Sequence, residues 1–183
     1  MKFSFPNSLT YFRIGVVPFI VICLIDSSHP LLGVAAFLFL LASLSDLLDG
    51  ILARRLNMVS ELGKMLDPLA DKILMMSVLV MLVSLNKVPG WIAVLFLIRE
   101  FMLTGLRSES FRKRKEGIAS SHLGKWKMFF QTIGVFFILL NGSVFAFNLS
   151  WIGLTFLIFA LILGYCSMIY YFTQYFKAYV LLK

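Results

Sequence analysis

The sequence predicts an all-α, polytopic membrane protein with six transmembrane helices and both termini on the cytoplasmic side. Three observations predict it. The first is composition: 60% of the 183 residues are hydrophobic and 14% are charged, against about 25% charged in ordinary soluble domains. The mean hydropathy is +0.92. A chain of this length cannot bury so much apolar surface in a core of its own, so its solvent must be lipid. The second is the presence of six apolar stretches, each near the length a helix needs to cross hydrocarbon. The third is the sidedness of the basic residues.

The stretches run over residues 8–25, 31–53, 69–85, 89–106, 126–147 and 151–176. The first is closed by Asp26, and no small-x-small cleavage site follows it, so it reads as a retained span and not a signal peptide. The second lies between His29-Pro30 and Arg54-Arg55. The third follows Asp67-Pro68, a pair that also suits a helix N-cap and first-turn proline. Asn86-Lys87 separates it from the fourth, which runs to Arg107. The fifth begins beside Lys125, and the sixth ends at Lys177. Of the seventeen Lys and Arg residues, the connections at 26–30, 86–88 and 148–150 contain only Lys87. The other sixteen fall at the termini, around 54–72 or around 99–127. That asymmetry places both termini and the polar inner connections in the cytoplasm. Residues 1–183 form a single membrane domain, with no linker and no internal repeat.

The formal charge of +8 would suggest nucleic-acid binding in a soluble protein. Here the basic residues sit at the ends of apolar segments, and no basic surface stands apart from them, which argues against such a partner. Cys23 and Cys166 both lie in apolar runs and read as small core or lipid-facing residues.

Four aspartates break the apolar pattern within 26 residues: Asp46-x2-Asp49-Gly50-x2-Ala53-Arg54-x8-Gly63-x3-Asp67-x3-Asp71. Carboxylates near hydrocarbon are costly and mark function. Four together repel unless cations or protons neutralise them. On a helix, Asp46, Asp49, Gly50 and Ala53 share one face, and Gly63, Asp67 and Asp71 share another. The polar stretch Asn57-Met58-Val59-Ser60-Glu61 separates the two. Hard cations such as Mg²⁺ take carboxylate oxygens and commonly share a site with substrate phosphates. A metal pair can clamp an in-line displacement at phosphorus. Taken singly, each residue has a plain reading: a cap, a helix-end charge, or close packing by a small residue. The whole pattern does not.

The Asp46–Asp71 pattern resembles the signature of the CDP-alcohol phosphatidyltransferases at every defining position. The resemblance implies an integral membrane enzyme of six helices, acting as a homodimer. It would displace CMP from a CDP-linked donor with an acceptor hydroxyl, using Mg²⁺ or Mn²⁺ as two ions. It implies that Asp46, Asp49, Asp67 and Asp71 are metal ligands and that Asp71 is also the catalytic base. It further implies that Gly50, Ala53, Arg54 and Gly63 line the cytidine diphosphate pocket.

Flanking segments extend the resemblance to about residue 135. Pro6-Asn7-Ser8-Leu9-Thr10-x2-Arg13, Ile98-Arg99-Glu100 with Leu106-Arg107, and Gly124-Lys125-x-Lys127 with Gln131 resemble the bacterial phosphatidylglycerophosphate synthases of that family. The last helix matches only in character. Met128 departs from the threonine many relatives carry there. The resemblance therefore implies CDP-diacylglycerol and glycerol 3-phosphate as substrates, in a bacterial cytoplasmic (inner) membrane, with the site facing the cytoplasm.

Charge logic agrees with a phosphorylated acceptor, because Arg or Lys must hold its phosphate while the free hydroxyl attacks. Arg107, Lys125, Arg99, Arg13 and, one turn before it, Thr10 are the candidates. Snorkelling topology markers are the competing account for the basic residues, and the plainer one for Lys127 and Arg13. Cardiolipin synthesis and inositol phosphate transfer are the nearest alternatives. A cation transporter is an alternative of another class; the confinement of all four aspartates to one cytoplasmic edge weighs against it. Arg112-Lys113-Arg114-Lys115 reads as an inner loop attracted to anionic lipid, and His122 has no assigned role.

Overall fold

Each apolar stretch contains one helix, and most of the helices continue beyond the apolar residues into polar ones; the expected end of the fifth, 141–147, lies outside the described residues. In the computed structural model these are α1 (Phe5–Asp26), α2 (His29–Leu56), α3 (Glu61–Ser84), α4 (Gly90–Arg114), α5 (His122–Leu140) and α6 (Leu149–Val180). The structure describes residues 5–26, 28–56, 61–114, 122–140 and 149–180, with side chains for these except at 5–9, 29, 46–56, 61–65, 67, 109–114, 122 and 178–180. Among the described residues there are no strands. The basic run Arg112–Lys115 and His122 lie outside the described side chains.

Two boundaries differ from the expected ones by about two turns: α4 runs on to Arg114 and not 106, and α3 begins early. It starts at Glu61 and not near residue 69, and it runs through Pro68. Mean hydropathy marks only the apolar part of a helix, and the first two turns here are amphipathic, with Glu61, Lys64 and Asp67 interleaved with Leu62, Met65 and Leu66. The consequence is that Gly63, Asp67 and Asp71 lie on one continuous helix. Helix α3 ends in a well-formed cap. Asn86 takes a left-handed conformation (φ 56°). Its N–H donates to the Val83 carbonyl at 2.9 Å, and the Lys87 N–H donates to the Leu82 carbonyl at 2.9 Å. These bonds satisfy carbonyls the helix end would leave orphaned. The tight turn makes α3 and α4 consecutive neighbours.

Helix α1 packs on α2 and α3, α4 on α6, and α2 on α5, while α5 and α6 pair most extensively. That last pairing depends on glycine. A Cβ on Gly134 would lie 2.8 Å from the Gly153 carbonyl oxygen, and one on Gly153 would lie 2.6 Å from the Gly134 carbonyl oxygen. Backbone meets backbone, as small residues allow between apolar helices. The core joins Ile20 and Leu24 of α1, Phe39 of α2, Leu79 and Leu82 of α3, Phe96 of α4, Ile138 of α5 and Leu157 of α6.

Among the described residues, many large apolar side chains face outward. Phe19, Ile25, Phe37, Phe101, Trp151 and Ile169 are all at least 60% exposed, while Arg13, Arg99, Lys127 and Gln131 are buried. By length and composition, Leu123–Leu140 and Leu149–Lys177 are long and apolar enough to cross a membrane, and Pro30–Ser45 is a shorter apolar segment.

Candidate active site

Helices α3, α4, α5 and α6 enclose a cavity of about 350 Å³. Helix α3 contributes Pro68, Asp71, Lys72, Met75 and Met76; α4 contributes Arg99, Glu100 and Arg107. Helix α5 contributes Gly124, Lys125, Lys127, Met128 and Gln131, and α6 contributes Tyr171. Five cations thus face two carboxylates around one space. A cavity with that excess favours an anionic occupant, because apolar walls focus the field of the charges lining it.

Helical spacing explains the arrangement. Lys127 and Gln131 are four residues apart on α5, and Arg99 and Arg107 are eight apart on α4, so each pair shares a face. Helix α4 ends and α5 begins at the same end of the bundle. Arg107 and Lys125, both exposed, therefore form the mouth, and Arg99 and Lys127 lie deeper.

The deeper layer is an ion network. Lys127 Nζ donates to Glu100 Oε1 at 2.6 Å, and an Arg99 terminal nitrogen (Nη1) donates to the same oxygen at 2.6 Å. Arg99 Nε also donates to the Gly164 carbonyl at 3.3 Å, tying α4 to α6. Lys127 Nζ lies 5.4 Å from the centre of the Phe96 ring. The Asp71 carboxylate is close enough to attract the charge of Lys127. At the mouth, Arg107 donates to the Tyr171 hydroxyl at 3.2 Å while its guanidinium carbon lies 5.1 Å from the centre of that ring. Lys72 donates to Thr104 Oγ1 across to α4, and Thr104 in turn donates to the Glu100 backbone carbonyl at 2.6 Å.

Four of the sequence candidates, Asp71, Arg99, Arg107 and Lys125, come together at this cavity. Thr10 and Arg13 are buried in α1 and are not among the residues that line it. The backbones of Asp46, Asp49, Gly50, Ala53 and Arg54 lie on α2, and those of Gly63 and Asp67 on α3. Their side chains lie outside the described residues. Among the described residues no three carboxylate, imidazole or thiol groups converge as a metal site would require.

The structure corrects the snorkelling account of Lys127 and Arg13. Both are buried, at 7% and 0% exposure, and the Lys127 charge is directed to a carboxylate instead of water. Four polar lining residues, Lys72, Glu100, Gln131 and Tyr171, were given no site role by the sequence. Glu100 did carry a signal, as a carboxylate inside an apolar stretch. Tyr171 carried none, since it is one of several aromatic residues on α6.

The sequence model of the CDP-alcohol phosphatidyltransferase family matches residues 3–169. The chain is similar to the CDP-diacylglycerol–glycerol-3-phosphate 3-phosphatidyltransferase of Bacillus subtilis (strain 168), with 38% identity over 155 residues, covering 78% of this chain and 80% of the relative. The enzyme of the same name from Rickettsia bellii (strain RML369-C) is 38% identical over 140 residues, covering 76% and 77%. The one from Haemophilus influenzae (strain ATCC 51907) is 34% identical over 182 residues, covering 93% and 92%.

Proposed function

Because the chain belongs to the CDP-alcohol phosphatidyltransferase family, we propose that it transfers the phosphatidyl group of CDP-diacylglycerol to sn-glycerol 3-phosphate, releasing CMP and forming phosphatidylglycerophosphate. The relatives that match most of the chain carry the name of that activity. The observation that carries the acceptor assignment is the cavity itself: Asp71 shares it with Arg107, Lys125, Arg99 and Lys127. An acceptor bearing a phosphate needs such cations, and an uncharged alcohol does not.

Asp71 takes the proton of the acceptor's free primary hydroxyl. The hydroxyl oxygen bonds to the phosphorus that carries diacylglycerol, the bond from that phosphorus to the bridging oxygen breaks, and CMP leaves with the electron pair. Arg107 and Lys125 hold the acceptor phosphate at the mouth. Tyr171 orients Arg107 by its hydroxyl and its ring face, and Glu100 holds Arg99 and Lys127 in place. Thr10 and Arg13 support the acceptor site from α1.

Asp46, Asp49, Asp67 and Asp71 would hold two divalent cations, Mg²⁺ or Mn²⁺. Their donor set is all carboxylate oxygen, which fits hard cations, and the Asp71 side chain is partly exposed at the cavity. When bound, the ions supply neutralising charge to the donor's diphosphate. Gly50, Ala53, Arg54 and Gly63 would receive the cytidine diphosphate.

All six helices cross the bilayer, with the termini and the cavity mouth on the cytoplasmic side. The apolar outer surface supports this, since monomeric soluble proteins rarely expose apolar patches beyond a few hundred Å². The donor's acyl chains stay in lipid while glycerol 3-phosphate enters from the cytosol of a bacterial cell. The protein works as a homodimer in the cytoplasmic membrane.

CMP release by the purified protein, with CDP-diacylglycerol and Mg²⁺, tests the reading. Release only when glycerol 3-phosphate is present is the expected result. Release with a different alcohol would keep the chemistry and change the acceptor. Cation flux into vesicles without CMP release under any condition would overturn the enzyme reading.

A further inference from the structure

Gln131 lies on the cavity-lining face of α5 and is 1% exposed. Among the described residues, no atom accepts a hydrogen bond from its Nε2. A buried amide without a partner is costly, and native proteins leave few of them. The nearest turn of the same helix shows why the protein does not satisfy it internally. Lys127, four residues earlier, and Arg99 both engage Glu100 Oε1. The remaining neighbours in the lining include the thioethers Met75, Met76 and Met128, which are weak acceptors at best.

Position along the helix says what the amide would meet. Lys125 is at the mouth, and Gln131 is six residues further in, about 9 Å along the axis. Side chains lean toward the N-terminus of their helix, so the amide is tilted back toward the mouth. A small acceptor with its phosphate on Arg107 and Lys125 extends from the cations toward Gln131.

The ligand group is a hydroxyl and not a second phosphate. The mouth supplies the cations that a phosphate demands, and Gln131 has no charge to offer one. A hydroxyl can both donate and accept, so it satisfies the amide whichever way its oxygen and nitrogen are turned. Resting on the acceptor reading above, we propose that Gln131 is a specificity-determining residue: its amide hydrogen-bonds the secondary hydroxyl of glycerol 3-phosphate and selects polyol phosphates that carry a hydroxyl beside the reacting one. A site built to bond a hydroxyl discriminates strongly against an analogue lacking it, because its own polar group is then left unpaired.

The test compares CMP release with sn-glycerol 3-phosphate and with 3-hydroxypropyl phosphate, which keeps the reacting hydroxyl and the phosphate but lacks the secondary hydroxyl. The wild type should prefer glycerol 3-phosphate by about tenfold or more in kcat/KM. In Gln131→Met the preference should fall to within about threefold of unity, through loss on glycerol 3-phosphate alone. Gln131→Asn keeps an amide but withdraws it by one methylene, so it covers a methionine variant that does not fold; the same collapse is expected. Equal use of both acceptors by the wild type overturns the proposal without any variant. So does a preference that survives in both variants, since a merely structural Gln131 would lower both activities together. No CMP release by the wild type with either acceptor, but release with another alcohol, removes the acceptor reading and this proposal with it.

Discussion

Glu100 is the residue whose removal should most disturb the deep layer of the cavity, and a double-mutant cycle with Lys127 measures why. Its Oε1 receives two bonds of 2.6 Å from cations. The side chains of Arg99, Glu100 and Lys127 are 7%, 14% and 8% exposed, so water replaces little of what is lost. A hydrogen bond to a charged group contributes about 1.5–3 kcal/mol. Glu100→Gln keeps the shape and one weaker acceptor but leaves two buried cations facing each other. Breaking a buried pair on one side costs roughly 3–5 kcal/mol, and about 3 kcal/mol is expected here because the amide oxygen still accepts one bond. Lys127→Met removes one of the two bonds, and the Arg99 bond to Glu100 remains, so about 1.5–2 kcal/mol is expected. In the double variant the unpaired cation is gone, and the total should fall short of the sum by about 1.5 kcal/mol. The assay is reversible unfolding in mixed micelles with all four proteins. Additivity within about 0.5 kcal/mol would refute the reasoning, because it would mean that Glu100 and Lys127 do not share an interaction.

Other perturbations separate the roles proposed for the rest of the site. Asp71→Asn should lower turnover by roughly 10²–10⁴-fold, the span of a general base, while the protein still inserts in the membrane; normal turnover in an inserted variant would remove Asp71 as base. Arg107→Ala should raise the apparent KM for glycerol 3-phosphate about 10- to 100-fold with little change for CDP-diacylglycerol, and Tyr171→Phe should raise it about tenfold by loss of the hydrogen bond that positions the Arg107 guanidinium; equal effects on both substrates would count against a phosphate-holding role. Chelation with EDTA should abolish CMP release, and Mg²⁺ or Mn²⁺ should restore it; activity that persists after exhaustive chelation would exclude the carboxylate metal site. Gly164→Val should raise the acceptor KM several-fold, since even a first Cβ there would sit 3.4 Å from both Arg99 Nε and Lys127 Cγ; an unchanged KM would show that the ion network tolerates displacement.

The six helices were legible because each is an apolar run bounded by polar residues, and such runs have few alternatives. The amphipathic start of α3 was not. Leu62, Met65, Leu66 and Leu69 do recur with a helical period, but the charges of Glu61, Lys64 and Asp67 between them hold down the hydropathy that set the expected boundary, and Pro68 reads as a first-turn residue when it is inside the helix. Asp71 and the cations of α4 and α5 could be selected from the sequence, since charges in apolar surroundings are few and each stands out. Their partners could not all be read. The bond from Arg107 to Tyr171 spans 64 residues, and no local pattern distinguishes Tyr171 from Tyr170 beside it. Lys127 was misread for a related reason: a lysine near a helix start looks the same whether its ammonium reaches water or a carboxylate on the next helix.

The cost of burying Glu100, Arg99 and Lys127 bears on what the cavity is built to do. A buried ion triad is often no more stabilising than apolar residues of the same volume, and packing α4, α5 and α6 together does not require one. What apolar residues cannot supply is a fixed arrangement of positive charge beneath an opening lined by two more cations. In that arrangement Glu100 cancels one of the two deep charges and bonds to both, so the deep layer carries a net charge near +1 in a defined position. The Arg99 bond to the Gly164 carbonyl then depends on how closely α6 approaches, and α6 is placed by backbone contact at Gly134 and Gly153. The helix pairing that excludes side chains at one level thus sets the reach of a guanidinium at another. A site for a small anion follows from that geometry: the mouth binds its charge, and the ordered layer below leaves the uncharged, hydroxyl-bearing part of the molecule to face Gln131 and Asp71.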